Sequence, residues 1–176
     1  VFLPNDVAVL LVNRRGIGAS EGRWQQNDIQ GRADDLYAAV RFLQDHPAID
    51  AGQVGVIGHS QGALTARYAA AKRPDWVASV TSVAGPNHGS ELADYLARHS
   101  PAHSLKGRVL SWLLWGISAL MTLLETGYRG PRLPVDIHAS HQSLTTAGVA
   151  LFNRQYPQGL PSTWGGQGPA EVGGVR

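Results

Sequence analysis

Five consecutive residues, Gly58-His59-Ser60-Gln61-Gly62, constrain this chain more than any other feature. They join an apolar run, Val54-Gly55-Val56-Ile57, directly to a helix-forming run over 63–72, with no loop residues to spare. A serine on so sharp a strand-to-helix turn takes a strained backbone conformation. Residues two before and two after it must then be small, to clear the neighbouring strand and helix. This is the G-x-S-x-G pattern, and it marks Ser60 as the expected nucleophile, with Gly58, His59 and Gly62 completing the turn. The turn also sets Ser60 at a helix N-terminus, where the dipole and free N–H groups favour developing negative charge. The N–H of Gln61 is expected to donate to an oxyanion. Three fixed letters in five recur by chance. The strand-turn-helix context gives the motif its weight over a bland glycine-rich turn.

The surroundings repeat one alternation. Val7-Ala8-Val9-Leu10-Leu11-Val12 is a continuous apolar run, which predicts a strand buried on both faces of a parallel sheet. A glycine-rich loop over 13–22 follows it. Ala33, Leu36, Tyr37, Val40, Phe42 and Leu43 fall at helical spacing, so a helix is expected over about 28–45, stopped by Pro47. Residues 54–57 are a second buried strand and 77–83 a third, closed by Gly85-Pro86-Asn87-His88-Gly89-Ser90. Strands alternating with helices imply βαβ units and a doubly wound, mostly parallel sheet in an α/β domain. Residues 109–124 are mostly apolar and include Trp112, Trp115 and Met121. A membrane span needs ~20 such residues, and Ser111, Gly116, Ser118 and Thr122 dilute this run, so a helix or broken helical pair is expected. A shorter helix is read over 143–155, and a loop over 156–176.

Composition removes several function classes. A hydrophobic share of 43% and a charged share of 16% describe an ordinary globular chain. The formal charge of +2, with no basic run longer than a pair such as Arg14-Arg15, gives nucleic-acid binding no support. With no cysteine there is no disulfide, thiolate metal site or thiol catalysis. No signal-peptide pattern is read in the opening Val1-Phe2-Leu3-Pro4. Other titratable residues take plainer readings. His59 is expected to pack or face a loop, His88 to be structural, and His46, His99 and His103 to lie at the surface. Asp34 and Asp35 read as a solvated helix face. Asp136, the first of a cluster with His138 and His141, reads as a helix N-cap rather than a triad acid.

Two stretches resemble known families. Asn13-Arg14-Arg15-Gly16-Ile17-Gly18-Ala19-Ser20-Glu21-Gly22, with Ala33-Asp34-Asp35 and the serine motif, is similar to α/β-hydrolases of the acyl-esterase and dienelactone-hydrolase kind. From residue 54 onward the chain resembles the Pseudomonas-type triacylglycerol lipases. The carriers are Thr81-Ser82-Val83-Ala84-Gly85-Pro86-Asn87-His88-Gly89-Ser90-Glu91-Leu92-Ala93-Asp94, Ser143-Leu144-Thr145-Thr146, Phe152-Asn153 and Tyr156-Pro157-Gln158-Gly159-Leu160-Pro161. Gly62-Ala63 stands where Gly-Gly is usual, and the order of residues over 87–89 differs from the family's Pro-His pair. Trp164-Gly165-Gly166 stands where some members carry a cysteine.

The resemblance implies the α/β-hydrolase fold, a single partial domain over 1–176 with a helical lid at about 104–127, incomplete at both ends. It implies ester hydrolysis on acylglycerols at a lipid–water interface, through an acyl-enzyme on Ser60, and a secreted protein, a cytoplasmic one being the alternative. It places the triad acid, the triad histidine and the ligands of a structural calcium beyond Arg176, leaving no cofactor in this chain and an isolated 176-residue chain expected to be inactive. A strand ahead of residue 7, between 7–12 and 54–57 in the sheet, is also implied; without it a gap or a foreign pairing is expected. Two other readings stay open: a short-chain esterase or lactone hydrolase, and a non-catalytic hydrolase-like fragment that binds lipid or a partner.

Overall fold

A computed structural model describes residues 2–3, 6–13, 15–16, 20–22, 28–99, 143–164 and 166–176. The lid reading at 104–127, with Trp112 and Trp115, lies outside the described residues. So do Asp136, His138, His141 and His103. The chain divides into two compact units, one of Val1–Asn87 with Gln155–Arg176 and one of His88–Arg154.

In the first unit, strand β1 (Phe2–Leu3) pairs antiparallel with β2 (Val7–Ala8). Helix α1 (Ile29–Gln44) starts where extended Asp28 accepts the Gly31 N–H on its carboxylate at 2.7 Å. Strand β3 (Gly55–His59) leads into helix α2 (Gln61–Lys72), and β4 (Ser79–Val83) returns parallel to β3. The register runs from Gly55 opposite Ser79 to His59 opposite Val83. Parallel strands need a crossover, and α2 is that crossover.

Val40 of α1, Val54 and Val56 of the β3 segment, Ala66 and Ala70 of α2, and Val77 form the core. Burying each valine contributes roughly 1.5–3 kcal/mol. Alanines at 33, 66 and 69 are buried and small, and Tyr37 of α1 donates its hydroxyl to the Ala69 carbonyl of α2 at 3.1 Å. Trp76 closes one end of this core, with the Arg73 guanidinium 3.6 Å from its ring centroid and Tyr37 edge-on to it.

Several sequence expectations change here. The run over 7–12 is a strand only at Val7–Ala8, is antiparallel, and leaves Leu11 90% exposed. It is therefore not a buried strand of a parallel sheet: a run apolar on both faces needs neighbours on both sides, and among the described residues only β1 pairs with it. β3 is buried on one face alone, because successive side chains point to opposite sides. Val56 faces the helices, whereas Ile57 is 75% exposed. The helix after the serine starts at Gln61, two residues earlier than expected. The tail is not loop throughout: Val172 and Val175 bridge across Gly173 and Gly174, both at positive φ. Arg176 then seats on β4, donating to the Ala78 carbonyl and accepting from the Val80 N–H at 2.7 Å.

In the second unit, helix α3 (Glu91–His99) was not expected from the periodicity. Ser90 caps it, its hydroxyl accepting the Ala93 N–H. Helix α4 (Thr146–Gln155) follows the expected 143–155 helix closely, and Val149 is its fully buried anchor. Among the described residues no helix is long and apolar enough to cross a membrane.

Candidate active site

Ser60 stands between the last residue of β3 and the first of α2, at φ 52 and ψ −125. Positive φ is rare for a residue with a side chain and is tolerated where the surroundings over-determine it. Two backbone bonds hold it here. The Ser60 N–H donates to the Val83 carbonyl at the end of β4 (2.9 Å), and the Ser60 carbonyl accepts the Ala63 N–H (3.0 Å). Although Ser60 occupies the N-cap position, its side chain makes no capping bond, and the residue is exposed. The hydroxyl is therefore not spent on the helix end. Gln61, half-buried, is the first residue of α2.

The two flanking glycines differ. A Cβ on Gly58 would run into the Gly62 carbonyl and approach the Ala63 Cα to 2.7 Å, all backbone that cannot move aside. At Gly62 a Cβ would meet nothing within 4 Å. The expectation that Gly62 must be small is thus not met, because its open side faces a cleft rather than a neighbouring element. That cleft, of about 180 Å³, is lined by Val12, Asn13, Asp35, Ile57 and His59 as well as Gly62. Ser60 is not part of its lining. His59 is exposed at the cleft, consistent with a loop-facing role.

The other sequence candidates separate from the turn. His88 is half-buried in the second unit. His46 is half-buried just past α1, its Nδ1 accepting the Ala48 N–H at 3.2 Å, so it shapes a turn instead of lying free at the surface. Asp35 is not a solvated helix residue. It takes a two-pronged contact from Arg15, with Nε 3.0 Å from each carboxylate oxygen, while Arg15 also donates to the Gly31 carbonyl. The pair ties the glycine-rich loop to α1, and this hydrogen bond raises the Arg15 pKa above its ordinary value. Asp34 is exposed, as expected.

Two residues that matter structurally escaped the sequence reading. Arg67 sits on the buried side of α2, only 7% exposed, and burial lowers its pKa. An arginine among Ala63, Ala66 and Ala70 at helical spacing was the available signal. Asp94 of α3 accepts both the Thr146 N–H (3.0 Å) and hydroxyl (2.8 Å), capping α4 from a different helix. Those bonds, the hydroxyl's first, hold its pKa below the ordinary carboxylate range. Among the described residues no group of three His, Cys, Asp or Glu side chains could hold a metal ion.

The chain matches the model of the alpha/beta hydrolase fold family over residues 2–171. It is 50% identical over 150 residues to a triacylglycerol lipase of Pseudomonas fragi, an alignment covering 85% of this chain and 50% of that protein. A triacylglycerol lipase of Vibrio cholerae is 41% identical over 150 residues, covering 85% and 46%. A third, of Pseudarthrobacter phenanthrenivorans, is 34% identical over 151 residues, covering 85% and 43%. The chain spans about half the length of the curated relatives it matches.

Proposed function

Since this chain belongs to the α/β-hydrolase family, we propose that it carries the nucleophile of a serine carboxylic-ester hydrolase acting on acylglycerols, with Ser60 as the attacking residue. The observation that carries this reading is the conformation of Ser60. It sits exposed at positive φ on a strand-to-helix turn, with its hydroxyl not used as a cap. A bland turn gains nothing from that strain.

In the proposed reaction Ser60 Oγ forms a bond to the ester carbonyl carbon while its proton passes to a general base. The carbonyl oxygen takes the charge and is held by backbone N–H groups, Gln61's among them. Collapse breaks the bond to the alcohol, which leaves with the proton, and water then releases the acid from the acyl-enzyme. The base in this chemistry is a histidine oriented by an acid, following the nucleophile in chain order. We assign that role to none of the described histidines.

Lipase relatives support acylglycerols over short esters as the substrate class. The apolar, tryptophan-bearing stretch at 104–127 supports work at a lipid–water interface. In the full-length protein Ser60→Ala is expected to lower hydrolysis of emulsified triacylglycerol by several orders of magnitude, to background. Retained turnover in a folded variant would refute the assignment of Ser60. Activity on tributyrin with none on triolein would replace the lipase reading with a short-chain esterase.

A further inference from the structure

Behind the serine turn lies a chain of hydrogen bonds that starts seven residues along α2. Arg67 is almost fully buried, and its guanidinium reaches oxygens on two segments far from it in sequence. Nη2 donates to the Tyr156 carbonyl at 3.0 Å and Nε to the Gln158 carbonyl at 3.5 Å. Nη1 donates to the Asn87 side-chain carbonyl at 3.5 Å. The Tyr156 ring is held by the same helix, edge-on to Tyr68 with centroids 5.0 Å apart. The carbonyls that Arg67 uses are therefore fixed points, against which it braces Asn87.

Asn87 in turn fastens the end of β4. Its backbone N–H donates to the Gly85 carbonyl at 2.8 Å, and its Nδ2 donates to the Ser82 hydroxyl at 3.3 Å. Between those points lies Ala84, which like Ser60 is a non-glycine residue at positive φ (47). Gly85 is pressed so close to α2 that a Cβ there would come within 2.6 Å of Ala63 Cβ. Immediately before Ala84 is Val83, whose carbonyl accepts the Ser60 N–H. Two strained residues thus sit across the ends of adjacent parallel strands, linked by one backbone bond. Strain of this kind persists only where neighbours hold it.

We infer that Arg67 is a positioning residue for Ser60, acting through Asn87 and the end of β4 to hold the Val83 carbonyl against the Ser60 N–H. The inference rests on reading Ser60 as the nucleophile. Arginine suits the task because its planar fork addresses several oxygens at fixed angles, which the single point charge of lysine does not.

The test uses the full-length protein with Arg67→Lys, Asn87→Ala and the double variant. Amide exchange at Ser60 is read by NMR and compared with amides of α1. Each single variant is expected to speed Ser60 exchange by about tenfold, the factor that losing one hydrogen bond of ordinary strength allows. The double variant should add little to either, and α1 should not change. Reaction with a fluorophosphonate should show a lower maximal rate of Ser60 modification with unchanged probe affinity. Ser60 exchange unchanged in both single variants, with only a lower melting temperature, would make Arg67 merely structural and overturn the inference. Should Arg67→Lys fail to fold, Asn87→Ala alone carries the comparison. If the full-length wild-type protein takes no label at Ser60, the nucleophile reading fails, while the exchange data still decide the positioning claim.

Discussion

Residues 7–12 and 54–57 both read as buried apolar strands, and they meet different fates. The first run keeps two residues of strand and leaves Leu11 90% exposed, with Val7 and Val12 both at 50%. The second enters a five-residue strand in register with β4, its Val56 in the core. The difference lies outside the runs themselves. Val54 and Val56 have α1, α2 and β4 to pack against, supplied by chain within about one crossover, whereas among the described residues the 7–12 run pairs with β1 alone. Apolar character makes a strand possible, and neighbours make it real.

The sharpest way to break this comparison is at Gly58. Gly58→Ala forces a Cβ into the backbone of Gly62 and Ala63, and is expected to destabilise the first unit by about 3 kcal/mol. Denaturant titration measures it, and a near-neutral result would mean the turn is far looser than described. Next comes Val56→Ala, expected to cost about 2 kcal/mol, set against Leu11→Ala at under about 0.5 kcal/mol. Equal costs would erase the contrast between the two runs. Gly62→Ala should be neutral or stabilising by up to about 1 kcal/mol, since the site is open and alanine favours the helix. A loss comparable to that of Gly58→Ala would restore the view that both glycines must be small.

The smallest effect is expected in the second unit and shows only in acid. The Thr146 bonds depress the pKa of Asp94, so the stability it contributes is fully present above the ordinary carboxylate pKa. That contribution is lost as pH falls through the depressed folded value. Amide exchange in α4 of the wild type should therefore rise below the ordinary carboxylate range, and Asp94→Asn should remove the dependence. An identical acid profile in the variant would show that Asp94 does not govern α4.

What was legible in the sequence follows the same division. The serine turn is local: five residues and two flanking runs specify it, and it folds as read apart from the steric role of Gly62. Helix α1 was legible because its cap, Asp28, and its apolar stripe lie within the element. The exposure of Ile57 was not, since a continuous apolar run does not say how many of its faces will be covered. Nor were the contacts that span the chain. Arg15 meets Asp35 across 20 positions, Asp94 meets Thr146 across 52 and Arg67 meets Tyr156 across 89. Nothing in spacing or composition pairs such residues. The strained conformation of Ala84 was also hidden, because glycine, not alanine, is the usual mark of positive φ.

The central claim is that the hydroxyl of Ser60, an exposed residue at positive φ, is a nucleophile. It is tested most directly by treating the full-length protein with a fluorophosphonate probe and mapping the adduct by peptide mass spectrometry. The account predicts one adduct, on Ser60, absent from Ser60→Ala and from chain unfolded before treatment. A folded wild-type chain that carries no adduct at Ser60, or labels equally well at another serine, would contradict it.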